Sequence, residues 1–332
     1  CNEISFLKIE IKEPATQYKD YLENYFKDLK LNKNNFFTDI SNYIGYEMGQ
    51  PTHCYDFSLI SDGLILQKNK TECNFLTVTD KNITLDKDEI VFIDKKNQVI
   101  NLAGIIGGMK TSCSKNTKTV LIECASFKPE SIVGKATKHD VHSDASHKFE
   151  RGVDPLCHEN VLRRFVHIVK DHVDILNLEI YQEQNKAFNN ISLDIDLNKI
   201  NNILGMNVSI QDYSDALKKL GFLVNNQVTV PSYRNDIHHQ NDLSEEIARV
   251  TGYNNIPSDE IKIKSLQKTS YDMNEKKIKS FLYNNGFAEV INSPFCSKKE
   301  TETLIVDNPL DTNRQYLRTN IIDSLLENIV YN

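Results

Sequence analysis

Val120-Leu121-Ile122-Glu123-Cys124-Ala125 reads as a strand buried on both faces, since apolar side chains run through it without the polar alternation of a half-exposed strand. One residue breaks the run. Glu123 puts a carboxylate into an apolar interior, where a carboxylate without a partner is costly, so it needs a hydrogen-bond donor. A backbone N–H or a lysine would serve, and so would a hydroxyl brought in by a ligand. The last case has a chemical consequence: a site built to bond a hydroxyl rejects the analogue lacking it by up to about 10⁴–10⁵-fold.

Outward from this strand, Phe75–Val78, Ile90–Ile93, Val99–Leu102 and Val120–Ile122 are short runs rich in β-branched residues, separated by Asp, Lys and Asn turns. That region is mostly sheet. Upstream, Ile4, Phe6, Ile9 and Ile11 predict a strand over 4–11, and Tyr18, Tyr21, Leu22, Tyr25, Phe26 and Leu29 follow Pro14 at helical spacing. Downstream, residues 129–140 and 155–175 return to helical spacing, so the first unit is α+β and closes near 175. The stretch from Tyr181 to Asn190 is polar and aperiodic and reads as a linker.

A second unit follows, with helices near 197–204, 212–220 and 243–250, stops at Gly205 and Gly221, and a strand near 228–230. Three short helices with a strand fit a winged-helix-like module. Beyond Pro257 come Lys262, Lys264, Lys268, Lys276, Lys277 and Lys279, read as a solvated face, then a helix reaching Gly286. An apolar helix with Ile321, Ile322, Leu325, Leu326 and Ile329 reads as part of an unfinished third unit. The fold class is therefore α+β and multidomain, with boundaries at 1–178, a linker at 179–190, 191–260, and a truncated 261–332.

Among the 332 residues, 39 Lys and Arg stand against 46 Asp and Glu for a formal charge of −7, which excludes a globally basic nucleic-acid coat. Any nucleic acid must find a local site. The longest nearly apolar run, Val99 to Gly108, is roughly half of a membrane span, so the reading is of a soluble protein without a membrane partner. Cysteines at 1, 54, 73, 113, 124, 157 and 296 form no CxxC pair and read as reduced thiols, not a zinc site, in the cytoplasm or another reducing compartment. A first residue of Cys, with no signal segment, reads as an excised or partial chain.

The common catalytic patterns GxxxxGK[ST], HExxH, GxSxG and GxGxxG are missing. Gly104, Gly107 and Gly108 follow a strand at the wrong spacing for a dinucleotide fold and read as permitting close backbone approach or positive φ. His142-Ser143-Asp144 has the letters of a triad, yet adjacent residues do not stack nucleophile, base and orienter in line.

Longer segments say more. Gly49-Gln50-Pro51-Thr52-His53-Cys54-Tyr55-Asp56, Leu121-Ile122-Glu123-Cys124-Ala125, and the run from His142 through Asp144-Ala145-Ser146-His147-Lys148-Phe149-Glu150-Arg151-Gly152-Val153-Asp154 to Pro155 together resemble the β chain of bacterial-type phenylalanyl-tRNA synthetase. Pro231-Ser232-Tyr233-Arg234-Asn235-Asp236, Asp242 to Val250, and Gly252 to Pro257 are similar to the same family in the same order, and Asn308-Pro309-Leu310 and Leu317-Arg318-Thr319 resemble the start of its catalytic-like domain. The resemblance implies an editing domain at 1–178, a magnesium-binding winged-helix-like module, and the start of a class II synthetase-like antiparallel sheet domain. It implies an α subunit as partner in an (αβ)₂ heterotetramer in the cytoplasm, ATP-dependent attachment of phenylalanine to tRNA(Phe) by that α subunit, and hydrolysis of Tyr-tRNA(Phe) by the β chain. The isolated chain is then not expected to aminoacylate.

The family's editing residues carry over onto His53, Glu123, Ser143 and Ala145, with Gly104 and Gly107 as backbone neighbours. Read alone, His53 is as consistent with a locally bonded surface histidine. No nucleophile stands beside an activating base, so the implied chemistry is attack by a positioned water. Two positions depart from the family: Asn32 where an arginine is usual, and Met109 where a glutamate follows the glycine pair. Loss of an arginine is not generally repaired by a neighbouring lysine, which leaves a scaffold without editing as the alternative. A winged-helix DNA-binding regulator is a further class, disfavoured by the acidic balance, so no specific DNA partner is expected.

Asp236, Asp242, Glu245 and Glu246 form the second candidate site. Asp242 and Glu245 resemble a capping box at a helix start. Four carboxylates so close also repel, a repulsion that a hard dication relieves, and the family resemblance implies Mg²⁺ here, with carboxyl pKa values raised when metal is absent.

Overall fold

The computed structural model describes residues 3–61, 63–184, 188–258, 273–297 and 303–332. The chain divides into two compact units, one up to Ser258 and one from Asp259 to Asn332. Lys262, Lys264 and Lys268 of the basic run lie outside the described residues.

The first unit opens with β1 (Glu3–Ile11), α1 (Asp20–Asp28), α2 (Phe36–Glu47) and β2 (Thr52–Asp56). Five short strands follow: β3 (Leu64–Lys68), β4 (Cys73–Leu76), β5 (Asn82–Leu85), β6 (Ile90–Asp94) and β7 (Val99–Leu102). Next come β8 (Ile106–Gly107), β9 (Thr119–Ser126), α3 (Lys135–Lys138), α4 (Asp144–Arg151), α5 (His158–His172) and β10 (Ile175–Gln184). Four strands form an antiparallel sheet in the order β10-β1-β9-β2. A second sheet runs β3-β6-β7-β8, and β4 pairs with β5 as a hairpin.

Strand β9 is buried on both faces, as its composition demands, and alternate residues serve different cores. Val120, Ile122 and Cys124 join Leu7, Ile9 and Ile11 of β1 beneath helices α1, α2 and α5, whose Leu22, Phe26, Phe37, Ile40, Ile44, Phe165 and Ile168 close that layer. Leu121 and Ala125 point the other way, against Phe92, Ile100, Leu102 and Ile106 of the second sheet and Phe75 and Ile83 of the hairpin. Glu123 shares this second face, between two sheets.

Three sequence expectations need correction. The linker assigned to 179–190 is strand as far as Gln184, because β10 pairs with β1 from Glu3↔Gln184 to Ile11↔Ile175. Leu176, Leu178 and Ile180 alternate along one face, but β10 is an edge strand on which Leu176, Ile180 and Tyr181 stay exposed, and the polar residues after Tyr181 carry no such alternation. Helix α2 is absent from the sequence reading; Asn35 starts it by accepting from the Thr38 N–H at 3.0 Å, at the end of an Asn-rich run that reads as loop. The helix expected over 129–140 is a single 3₁₀ turn followed by α3, interrupted where Gly134 adopts φ +77°.

Still within the first unit, β11 (Ser192–Asp194), α6 (Leu197–Leu204), α7 (Ile210–Lys219), β12 (Leu223–Val224), β13 (Gln227–Thr229) and α8 (Gln240–Thr251) enclose a separate core around Ile200, Tyr213, Leu217, Phe222, Val228 and Leu243. Gly205 ends α6 in the left-handed region at φ +67°. The second unit holds α9 (Met273–Asn284), an antiparallel pair β14 (Phe295–Cys296) and β15 (Tyr316–Leu317), and α10 (Ile322–Tyr331). None of α10's residues is buried. No helix among the described residues is long and apolar enough to cross a membrane.

Candidate functional site

Sheet register builds the site. Glu123 of β9 lies between Phe6 of β1 and His53 of β2, and residues directly opposed across an antiparallel pair share a face. Tyr55, two residues beyond His53, shares that face too, and its ring meets the imidazole edge-on, 4.5 Å between centroids at 71°. The Tyr55 hydroxyl donates to Glu123 Oε2 at 2.6 Å and accepts from Asn101 Nδ2 at 2.8 Å. Tyr55, Asn101 and Glu123 are 0, 4 and 5% exposed, so the chain of bonds is dry. The partner that Glu123 requires is thus neither a backbone N–H nor a lysine, but a phenol from the protein itself.

The floor of the site is backbone. Asn101 of β7 opposes Gly107 of β8, and the His53 ring lies against Gly107 so closely that a Cβ there would stand 2.1 Å from His53 Cε1. Only glycine admits the imidazole. His53 Nε2 and Asn101 Oδ1 are buried with no hydrogen-bond partner among the described residues. Burial pushes His53 down to about 4, which keeps it neutral at physiological pH, and burial pushes Glu123 up to about 7 although the bond from Tyr55 opposes the rise. The Tyr55 phenol is raised well above its usual range by burial beside that carboxylate.

Ser143 and Ala145 stand differently. Ser143 caps α4, its Oγ accepting from the Ser146 N–H at 3.0 Å and donating to Ile105 O at 2.6 Å. Its hydroxyl therefore fixes the turn leading into Gly107. Ala145 packs against the two-sheet core and also lines a cavity of about 500 Å³ with Pro51, Thr52, Asn32, Asp144 and Lys148. Asn32 is exposed on that cavity, and Met109 is half-buried at the start of a 3₁₀ turn. Gly104 takes φ +72°, and a Cβ there would stand 2.8 Å from Ile132 Cδ1. Another opening, of about 540 Å³ between α5 and β10, touches none of these residues. Tyr55 and Asn101 were not singled out from the sequence; the i, i+2 alternation in β2 was the available signal for Tyr55.

The four carboxylates do not share one centre. Arg234 holds Asp236 with a two-pronged contact at 2.8 and 2.6 Å and reaches the buried Glu246 at 2.8 Å; Arg249 also pairs with Glu246. Asp242 is the third residue of α8, not its cap, and its Oδ2 accepts from the His238 and His239 N–H groups at 2.7 and 2.8 Å. Glu245 is exposed. The expected upward shifts are reversed. Hydrogen bonding to Arg234 holds Asp236 and Glu246 below the usual carboxylate range, and backbone N–H bonds do the same for Asp242. No group of three or more His, Cys, Asp or Glu among the described residues is arranged to hold a metal. Guanidinium supplies the positive charge that a dication would supply, so this arrangement does not fit Mg²⁺.

With this geometry in view, family profiles match three consecutive segments: the B3/4 domain at residues 4–174, the tRNA synthetase B5 domain at 193–253, and the phenylalanyl tRNA synthetase beta chain CLM domain at 256–332. Such a series defines an aminoacyl-tRNA synthetase chain. The phenylalanine–tRNA ligase beta subunit of Ehrlichia canis (strain Jake) is 31% identical over 324 residues, covering 94% of this chain and 41% of the relative. That of Yersinia pestis is 31% identical over 318 residues, covering 89% and 39%. The chain belongs to the phenylalanyl-tRNA synthetase β-chain family, and spans about two fifths of the length of these relatives. A solved N-terminal fragment of the Pyrococcus horikoshii β subunit aligns over 75% of this chain and 71% of that one, at 15% identity and a TM-score of 0.36.

Proposed function

We propose that this chain is the central part of a phenylalanine–tRNA ligase β subunit, and that the site around Glu123 and His53 hydrolyses an aminoacyl ester on tRNA(Phe). In this reading a cytoplasmic (αβ)₂ assembly forms Phe-tRNA(Phe) on its α subunits, with ATP as the energy source, while the β chain hydrolyses aminoacyl esters on tRNA(Phe), mischarged tyrosine among them. The single observation that supports the site is the buried His53 Nε2, unpartnered beside Gly107 and two strand positions from the Glu123 carboxylate's bonded phenol. Water adds to the ester carbonyl carbon, the bond to the ribose oxygen breaks, and that oxygen takes up a proton as the amino acid leaves as its carboxylate. Neutral His53 would accept a hydrogen bond from the water or the ribose hydroxyl and hold it in line. Ser143 acts one step removed, by tying Ile105 and so the backbone before Gly107. Magnesium has no part in this reading, given the pairing of Arg234 with Asp236 and Glu246.

A scaffold without editing is the second reading, and the Tyr55–Glu123 bond favours it, because the acceptor is already satisfied. Deacylation of Tyr-tRNA(Phe) and Phe-tRNA(Phe) by the full β subunit assembled with its α partner separates the two. Hydrolysis that falls in His53→Ala supports the ester site; rates equal to those in buffer alone leave the scaffold.

A further inference from the structure

One feature of the site is chemically redundant with the ligand proposed for it. A pocket that selects tyrosine over phenylalanine needs an acceptor for the phenolic O–H and a donor for the phenolic oxygen. Glu123 Oε2 and Asn101 Nδ2 are such a pair, 2.6 and 2.8 Å from one phenolic oxygen, but that oxygen belongs to Tyr55. Tyr55 arrives from β2 with its ring wedged against His53 and no exposed surface. We infer that Tyr55 is a specificity-determining residue: its hydroxyl occupies the Glu123 acceptor in place of an incoming tyrosyl hydroxyl, so the site treats tyrosyl and phenylalanyl esters nearly alike. The inference rests on the aminoacyl-ester reading of the site.

Discrimination against phenylalanine comes from the cost of stranding a buried acceptor when the ligand has no hydroxyl. In this chain the acceptor is bonded whether the ligand carries a hydroxyl or not, so phenylalanine strands nothing and tyrosine gains nothing. Removing the Tyr55 oxygen alone reverses this. Tyr55→Phe keeps the ring that packs against His53 and leaves the Glu123 carboxylate and the Asn101 amide without their shared partner, free to bond a ligand hydroxyl.

The test uses the full β subunit assembled with its α partner and two probes, the non-hydrolysable 3′-amides of tyrosyl- and phenylalanyl-adenosine, alongside deacylation of the two charged tRNAs. The wild type is expected to bind the two amides within about threefold of one another, whereas Tyr55→Phe gains at least about tenfold for the tyrosyl ligand and for hydrolysis of the tyrosyl ester. Adding Glu123→Gln should reduce that gain, while Glu123→Gln in the wild type should leave the tyrosyl-to-phenylalanyl ratio nearly unchanged. A wild type that already prefers the tyrosyl amide tenfold overturns the role of Tyr55 without recourse to any variant. An unmoved ratio in a folded, hydrolytically active Tyr55→Phe overturns it too and leaves the ester site standing. No hydrolysis and no amide binding by any form removes the ester site, and the inference with it.

Discussion

Glu123 was legible as an anomaly from sequence, since a carboxylate inside Val120–Ala125 has no ordinary reason to be there. Its partner was not. Tyr55 and Asn101 are 68 and 22 positions away and meet it only through the register of β2 on β9 and the packing of the second sheet. The burial has a pH signature. Glu123 titrates at about 7 in the fold against 4.5 in the unfolded chain, so the folded state binds the proton more tightly. Its contribution is fully present below about pH 4.5 and is lost as pH rises through 7, to the extent of about 3 kcal/mol. Glu123→Gln carries no such proton, and its stability relative to the wild type should climb between about pH 5 and pH 8 in denaturant titrations. A gap that stays constant over that range contradicts a buried, hard-to-ionise Glu123. His53 has the opposite sign: depressed to about 4, it stabilises fully above 6.5, and that contribution fades as pH falls towards 4.

At the scale of elements, the start of α8 shows why a sequence reading of carboxylate clusters overreaches. Spacing puts Asp236, Asp242, Glu245 and Glu246 in one group and their repulsion makes a dication attractive, but Arg234 in the same stretch is a cation already at hand. In the structure it bridges Asp236 and Glu246. Millimolar Mg²⁺ is therefore expected to leave the melting temperature of the chain unchanged. Arg234→Ala should destabilise by about 2 kcal/mol or more, because Glu246 is only 5% exposed and keeps Arg249 alone as its cation. A magnesium-dependent rise in melting temperature that disappears in Asp236→Asn would restore the metal site. Strand β10 teaches a related lesson. The polar residues that end this edge strand carry no apolar alternation, so neither periodicity nor composition marks them, and the pairing of β10 with β1 across more than 160 positions is invisible locally.

Over the whole molecule, each of the two cores flanking β9 takes alternate residues of that strand, which is how a single eight-residue segment both seals the helical layer and presents Glu123 to the second sheet. The α+β class and the order of the modules were readable because helical and strand periodicities change at recognisable stops such as Gly205. The second unit is less complete in itself: Ile321, Ile322, Leu326, Ile329 and Val330 are all exposed. The site depends on contacts wholly within the first unit.

The dependence is sharpest at Gly107, where a single methyl group collides with the imidazole. The most direct test of the ester site is the deacylation rate of charged tRNA(Phe) by the assembled ligase carrying Gly107→Ala in its β subunit. A displaced His53 should cost about 10²-fold in hydrolysis while aminoacylation by the α subunit persists. Hydrolysis at the wild-type rate in a folded Gly107→Ala variant would contradict the site.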